Sequence, residues 1–116
     1  MRRTILVVDD DRSMVRTLCD IFRLRGWDPH PAYSGEEAVA AQCGTGFGAG
    51  LMDFRMQGMD GLTAFKSMKL CTPDVRVVLM TAHTAPEMVD DAARAGALRV
   101  MPKPVDLNAL LSLLEN

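Results

Sequence analysis

Four short apolar stretches of the chain each end at polar side chains that could bind a cation and a phosphoryl group. Asp9 and Asp10 follow the first stretch, Asp53 follows a second, Thr81 a third and Lys103 a fourth. Short apolar stretches bounded by turns are typical of buried strands, and open α/β proteins bind ligands where the carboxyl ends of their parallel strands meet. Three carboxylates, one hydroxyl and one ammonium would meet there. This set favours binding of a divalent cation next to a phosphoryl group.

The elements that must position these residues alternate between strand and helix patterns. The near-continuous apolar strands predict a parallel sheet covered on both faces, and right-handed crossovers restrict it to a doubly wound topology. We therefore predict an α/β fold, a five-stranded (βα)5 sheet, in one domain over residues 1–116. The predicted strands lie at 5–8, 28–33, 47–52, 75–80 and 98–101, and the predicted helices at 12–25, 34–44, 62–70, 84–95 and 106–114.

Local signals indicate where several of these elements begin. Pro29 and Pro31 lack the N–H that a central strand needs, so 28–33 is predicted to be an edge strand. Ser34 and Thr84 each precede a glutamate by three residues, which is the spacing of a capping box, so each is predicted to begin a helix. Asp106 is predicted to begin the last helix.

The bulk composition indicates an ordinary globular protein. Of 116 residues, 48% are apolar and 24% are charged, which is normal for one soluble domain. The net charge of −2 gives no broad basic surface, so direct binding to nucleic acid is not expected. Residues 1–4 are polar, the apolar stretch after them is short, and no segment approaches the roughly 18 apolar residues of a membrane span. We expect no signal peptide and no membrane association.

The cysteines suggest a reducing compartment. Cys19, Cys43 and Cys71 are odd in number and widely spaced, without a Cys-x-x-Cys pair. Two of them fall inside helix patterns, which favours reduced cysteines that pack as small apolar side chains. The sequence therefore predicts free thiols and a cytoplasmic location.

Six short motifs follow one another in order between Ile5 and Leu114. They are VVDDD at 7–11, MD at 52–53, GMDG at 58–61, MTA at 80–82, GA at 96–97 and KP at 103–104. Any one of them would mean little, but the full set resembles the receiver domain of two-component response regulators. The resemblance implies a flavodoxin-like, CheY-like sheet order of 2-1-3-4-5. It also implies a phosphorylation-switched signalling domain, a histidine kinase as phosphodonor, and a downstream protein or output domain as partner.

The resemblance assigns roles to the acidic residues. It implies that Asp53 is the phosphoacceptor, whose carboxylate forms a reactive acyl phosphate; the alternative is a strand-end aspartate that only forms a turn. It implies a Mg²⁺ site in which Asp10 is a direct ligand and Asp9 acts mainly through water. Asp53 and the backbone carbonyl of Arg55 complete that site. Because three close carboxylates repel one another, one of them should resist ionisation until a cation binds.

Two further residues gain roles from the same resemblance. Lys103 would place a positive charge on the phosphoryl oxygens and pair with Asp53 in the empty site. The family commonly has a cis peptide before the proline that stands here as Pro104. Thr81 would donate a hydrogen bond to a phosphoryl oxygen and move toward it on phosphorylation. From sequence alone, the better explanation of Thr81 is a β-branched strand residue without a functional role.

The chain departs from the family pattern at positions that affect switching. Gln57 stands where a proline is usual, Val105 where a phenylalanine is common, and Val100 where an aromatic switch residue is usual. A valine cannot swing between buried and exposed positions with the same change in surface. Arg55 and His83 lie two residues after Asp53 and Thr81, and we interpret them as side chains that modulate the lifetime of the acyl phosphate.

Three functions from different classes fit these residues. The leading interpretation is the signalling domain, which is not a turnover enzyme. An aspartyl-nucleophile phosphatase would need a second acid where Arg55 stands. A phosphorylation-independent binding module stays open because of Gln57 and Val100. The last helix and the face beside Val100 form the contact surface that the resemblance implies, and a homodimer through that face also stays open.

Overall fold

Strands and helices alternate along residues 3–115, the part of the chain that the computed structural model describes. All strand pairs are parallel, as the sequence predicted. The strands are β1 (Arg3–Val8), β2 (Trp27–Ala32), β3 (Ala49–Asp53), β4 (Arg76–Thr81) and β5 (Arg99–Pro102). The helices are α1 (Arg12–Leu24), α2 (Gly35–Gly44), α3 (Gly61–Cys71), α4 (Pro86–Ala95) and α5 (Leu107–Glu115). The sheet order β2-β1-β3-β4-β5 confirms the doubly wound α/β fold and the order that the resemblance implied.

Both faces of the sheet are buried. Successive side chains of a strand point to opposite faces, and β1 shows this directly, since Ile5 and Val7 join one core cluster and Leu6 and Val8 the other. All four side chains have no exposed surface. A slip by one residue would move every side chain to the opposite face, into a core that is packed around different side chains, so the strand ends are held in place.

The two prolines lie on an edge strand, as predicted. The carbonyl of Ala32 accepts a hydrogen bond from the N–H of Asp9, 3.2 Å away, so alternate residues 28, 30 and 32 of β2 face β1. Pro29 and Pro31 therefore face the open edge of the sheet. A missing N–H costs little on that side, because no further strand would pair with it.

Side chains cap the starts of four helices. The Ser34 hydroxyl accepts a hydrogen bond from the N–H of Glu37 at 3.0 Å, which confirms the predicted start of α2. Asp106 caps α5 through the N–H of Ala109, also as predicted. Asp11 and Asp60 cap α1 and α3 in the same way. Acidic side chains at these ends also complement the positive ends of the helix dipoles.

The predicted start of α4 was wrong. The N-cap is Ala85, not Thr84, and no side chain caps this helix. Pro86 occupies the first turn, where its fixed φ angle and missing N–H suit a helix start. The proline therefore determines this boundary, and the capping-box spacing of Thr84 and Glu87 is coincidental.

The prediction of free thiols was wrong for two of the three cysteines. Cys43, near the end of α2, forms a disulfide with Cys71, at the end of α3, while Cys19 is free and buried. Helices α2 and α3 pack against the same core cluster on one face of the sheet, so their last turns meet. The sequence pattern predicts each helix separately but does not predict that the two helices lie side by side. The disulfide removes the cysteine argument for a cytoplasmic location.

Within residues 3–115, no helix combines the length and apolar character needed to cross a bilayer. The longest helix, α1, has 13 residues and carries charged side chains along its exposed face.

The two capping assignments lead to a paired stability prediction. Asp60→Ala removes the carboxylate oxygen that accepts from the N–H of Thr63 at 2.8 Å, so the free energy of unfolding should fall by about 1 kcal/mol. Thr84→Ala removes no cap and should change it by less than about 0.5 kcal/mol. Urea denaturation of both variants measures the difference. Equal losses would contradict the assignment of the α4 cap to Ala85.

Candidate functional site

The predicted site residues meet at the carboxyl edge of the sheet. Asp9 follows β1 directly, Asp53 is the last residue of β3, Thr81 is the last residue of β4, and Lys103 follows β5. These four strands are neighbours in the sheet, so one edge carries all four side chains. Asp9, Asp53 and Thr81 are buried, with 1%, 6% and 2% of their surface exposed.

The ammonium of Lys103 binds two carboxylates. Its Nζ atom lies 2.9 Å from Oδ2 of Asp9 and 3.2 Å from Oδ1 of Asp53. The sequence interpretation paired Lys103 with Asp53 alone, whereas the shorter contact is with Asp9. Because the three groups are largely shielded from water, these contacts are stronger than those of a surface ion pair. They fix the distance between the ends of β1, β3 and β5.

Both carboxylate oxygens of Asp9 have protein partners. Oδ1 accepts a hydrogen bond from the N–H of Asp11 at 3.0 Å, and Oδ2 accepts from Lys103. Asp10, in contrast, is exposed. The division into a direct ligand, Asp10, and an indirect one, Asp9, stays a prediction.

A cluster of three carboxylates could hold a metal ion. Asp9, Asp10 and Asp53 each offer one oxygen, and these oxygens lie within 4.8 Å of one another. Hard divalent cations such as Mg²⁺ prefer oxygen ligands and bind through a few carboxylates while keeping some water. The donor set therefore fits Mg²⁺, with the exposed Asp10 on the solvent side.

The electrostatics of the cluster favour an added positive charge. Burial is the main cause that raises the pKa of the Asp53 carboxyl, the charge of Asp9 raises it further, and Lys103 and the backbone N–H of Arg55 lower it in part. Asp53 is thus a carboxyl that resists ionisation, as expected for one member of the cluster.

The pKa of Lys103 is also raised. Burial alone would lower it, but the hydrogen bond to Asp9 and the negative charge of Asp53 have the larger effect. Lys103 therefore stays an ammonium.

The hydroxyl of Thr81 is engaged by the loop that follows β4. It donates a hydrogen bond to the carbonyl of His83 at 3.0 Å and accepts one from the N–H of the same residue at 3.2 Å. Sequence reasoning placed Thr81 at the site but missed this partner. His83 contacts Thr81 through its backbone, and its side chain is not involved in either bond.

Gly61 shapes the loop after Asp53. Its N–H donates to the carbonyl of Phe54 at 2.8 Å, and the N–H of Phe54 donates to Met80 across to β4, also at 2.8 Å. A Cβ atom at position 61 would collide with the carbonyl oxygen of Asp53. Only glycine fits there, so the Asp60-Gly61 pair serves both as a helix start and as a close backbone contact behind the site. The sequence predicted a helix directly after this pair but not the close contact with Asp53.

The Lys103–Pro104 peptide bond is cis, as the resemblance implied.

The positions that depart from the family pattern lie near the surface. Gln57 is exposed, and Val100 is partly exposed and packs against the core cluster shared by α2, α3 and α4. No position for the Arg55 carbonyl relative to the carboxylates follows from these contacts, so its role as a ligand stays a prediction.

The fold and the acidic site together define a class of protein. The sequence profile of the response regulator receiver domain matches residues 5–115. The chain therefore belongs to the response regulator receiver domain family of two-component systems. Receiver domains of this family are signalling domains that work with histidine kinases and output domains.

Several individual proteins resemble the chain. The transcriptional regulatory protein ZraR of Salmonella typhimurium is 39% identical over 111 residues, which cover 96% of this chain and 25% of ZraR. The sporulation initiation phosphotransferase F of Bacillus subtilis is 30% identical over 95% of this chain and 89% of its own length. The crystal structure of a response regulator receiver protein from Pseudomonas putida superposes with a TM-score of 0.90, at 28% identity, covering 99% of this chain and 97% of that one.

Replacing Asp53 with asparagine should stabilise the fold at neutral pH. The folded pKa of this carboxyl lies above its unfolded value, so ionised Asp53 destabilises the fold above the folded pKa. The destabilisation fades below the unfolded pKa, where both states are protonated. We expect urea denaturation without Mg²⁺ to show a gain for Asp53→Asn at pH 7 that shrinks toward pH 4.

The matched control is Asp20→Asn, which removes an exposed carboxylate from the pair with Arg23 on α1. Asp20→Asn should not raise the free energy of unfolding at pH 7 above that of the wild type. A loss of stability for Asp53→Asn at pH 7 would contradict the electrostatic description of the site.

Proposed function

We propose that the chain accepts a phosphoryl group on Asp53 from a histidine kinase in a Mg²⁺-dependent reaction. The phosphorylated chain then changes conformation and controls a partner protein or an output domain. The observation that carries this proposal is the shared contact of Lys103 with Asp9 and Asp53 inside a buried carboxylate cluster. A strand-end aspartate that only formed a turn would need neither a buried ammonium nor two acidic neighbours.

The residues of the site divide the chemistry among themselves. An oxygen of Asp53 attacks phosphorus, forming the new O–P bond as the N–P bond to the kinase histidine breaks and its electron pair returns to the imidazole. Lys103 remains charged beside Asp53 and stabilises the negative charge of the phosphoryl oxygens. The Thr81 hydroxyl gives up its hydrogen bond to the carbonyl of His83 and donates one to a phosphoryl oxygen instead.

A metal ion belongs to the proposal because the donors fit one. Asp10, Asp53 and, through water, Asp9 would hold Mg²⁺, with the Arg55 backbone carbonyl completing the set. When bound, Mg²⁺ neutralises charge on the transferring phosphoryl group. The raised pKa of Asp53 supports this requirement, since a nearby cation favours the ionised carboxylate that must act as nucleophile.

A phosphatase is the less favourable assignment. An aspartyl phosphatase needs a general acid two residues after its nucleophile, and Arg55, which is exposed, occupies that position here. We therefore propose self-catalysed phosphorylation and dephosphorylation without steady turnover of small phosphomonoesters.

Switching is proposed to begin at Thr81. Its two bonds to the backbone of His83 tie the hydroxyl to the loop after β4, so its movement toward a phosphoryl group would release that loop. Strand β4 pairs with β5, where Leu79 is the register partner of Val100. We propose the face formed by α4, β5 and α5 as the contact surface for a partner or a second copy.

We also propose a cytoplasmic location, which rests on family membership.

Intact mass measured after incubation with acetyl phosphate and Mg²⁺ tests the proposal. The wild-type chain should gain one phosphoryl group, Asp53→Asn should gain none, and the control Asp74→Asn, in the exposed turn before β4, should behave as wild type. No added mass on the wild type after rapid quenching would favour the phosphorylation-independent binding module. Added mass on Asp53→Asn would place the acceptor elsewhere.

The decay of the same mass signal tests the proposed roles of Arg55 and His83. Both residues are exposed beside the site, and we propose that their side chains restrict the approach of water to the acyl phosphate. Arg55→Ala and His83→Ala should therefore each shorten its lifetime by about threefold. If both variants decay at the wild-type rate, these side chains have no such role.

A further inference from the structure

Two cysteines lie together at the ends of neighbouring helices. Cys43 is in the last turn of α2, Cys71 is the last residue of α3, and their Cα atoms are 5.2 Å apart in the disulfide. This separation is ordinary for a disulfide, for which about 4.4–6.8 Å is usual. The ends of the two helices therefore place Cys43 and Cys71 at a normal bonding distance.

Access to solvent separates this pair from the third cysteine. Cys43 and Cys71 are both exposed. Cys19 is 4% exposed, and burial is the main cause that raises the pKa of its thiol. Thiol–disulfide exchange requires a thiolate that can reach an accessible sulfur. The chain thus carries two cysteines at its surface and one that the core protects.

The disulfide joins one end of a helix pair whose other end lies beside the phosphorylation site. At that other end, a Cβ on Gly35 would come within 2.9 Å of the carbonyl oxygen of Met59, so the start of α2 touches the loop after Asp53. A Cβ on Gly58, in the same loop, would come within 3.2 Å of a carboxylate oxygen of Glu36. The helix pair is therefore held by backbone packing at one end and by a covalent bond at the other.

We propose that Cys43 and Cys71 form a reversible redox modification site, which exchanges with small thiols and disulfides of the glutathione class and sets the stability of the α2–α3 pair. The bond closes a segment with a sequence separation of 28 residues that contains β3, Asp53 and all of α3. Closing a segment of this length restricts the unfolded chain. The proposal does not depend on phosphorylation of Asp53.

The exchange proceeds in two balanced steps. The thiolate of one cysteine attacks oxidised glutathione, forms a mixed disulfide and expels one glutathione thiolate. The thiolate of the other cysteine then attacks the protein sulfur of that mixed disulfide and expels the second glutathione thiolate. The two protein thiols lose two electrons and two protons, and one oxidised glutathione becomes two reduced molecules.

Alkylation after equilibration tests reversibility. The whole chain is incubated at varied ratios of reduced to oxidised glutathione, quenched with acid, alkylated in denaturant and weighed by mass spectrometry. With three cysteines in the sequence, the oxidised form should carry one alkyl group and the reduced form three. The proposal requires that these two forms interconvert with a single midpoint, whichever form is the starting material. The proposal is overturned if the chain stays in one form at every ratio of reduced to oxidised glutathione. It is also overturned if a chain carrying a glutathione adduct accumulates.

Thermal unfolding tests the effect on stability. Reduction should lower the Tm of the wild-type chain by about 10 °C. The Cys43→Ser, Cys71→Ser double variant should have the Tm of the reduced wild type, whatever the ratio of reduced to oxidised glutathione. The Tm of Cys19→Ala should fall on reduction as much as that of the wild type. The wild-type comparison needs no variant to fold, and a Tm that does not change on reduction overturns the proposal.

Discussion

The ammonium of Lys103 holds together the end of the sheet on which the rest of the site depends. It contacts Asp9 at 2.9 Å and Asp53 at 3.2 Å, and both carboxylates are buried. Two buried carboxylates repel each other and lose hydration, so this arrangement is stable only with a positive charge between them. Lys103 supplies that charge in the free protein. The proposed phosphoacceptor is thus kept beside a cation before any donor arrives.

The fold makes this arrangement possible by fixing the strand ends. The apolar side chains of β1, β3 and β4 pack on both faces of the sheet, so their carboxyl ends have little freedom to move. Gly61 then lets α3 begin directly behind the Asp53 carbonyl. Thr81 is placed equally firmly, but its hydroxyl is held by the backbone of His83. The site therefore combines a rigid acidic cluster with one hydroxyl that changes partner in the proposed reaction.

The sequence predicted those features that depend on local pattern. Apolar runs and turn residues identified every strand and helix in residues 3–115, and the order of motifs led to the site residues. Features that depend on spatial neighbours were missed. Cys43 and Cys71 are 28 positions apart and meet only because their helices lie side by side. The partner of the Thr81 hydroxyl depends on a side-chain rotation that no sequence pattern encodes. At α4, the proline at position 86 overrode a capping-box spacing.

The most direct test of this account is the affinity for Mg²⁺, measured by titration calorimetry at neutral pH for the wild type, Lys103→Gln and the control Lys66→Gln on the exposed side of α3. If the Lys103 ammonium occupies the same carboxylates that bind the metal, its removal relieves the competition. Lys103→Gln should then bind Mg²⁺ about tenfold more tightly, and Lys66→Gln should bind as wild type. Unchanged or weaker binding by Lys103→Gln would contradict the account.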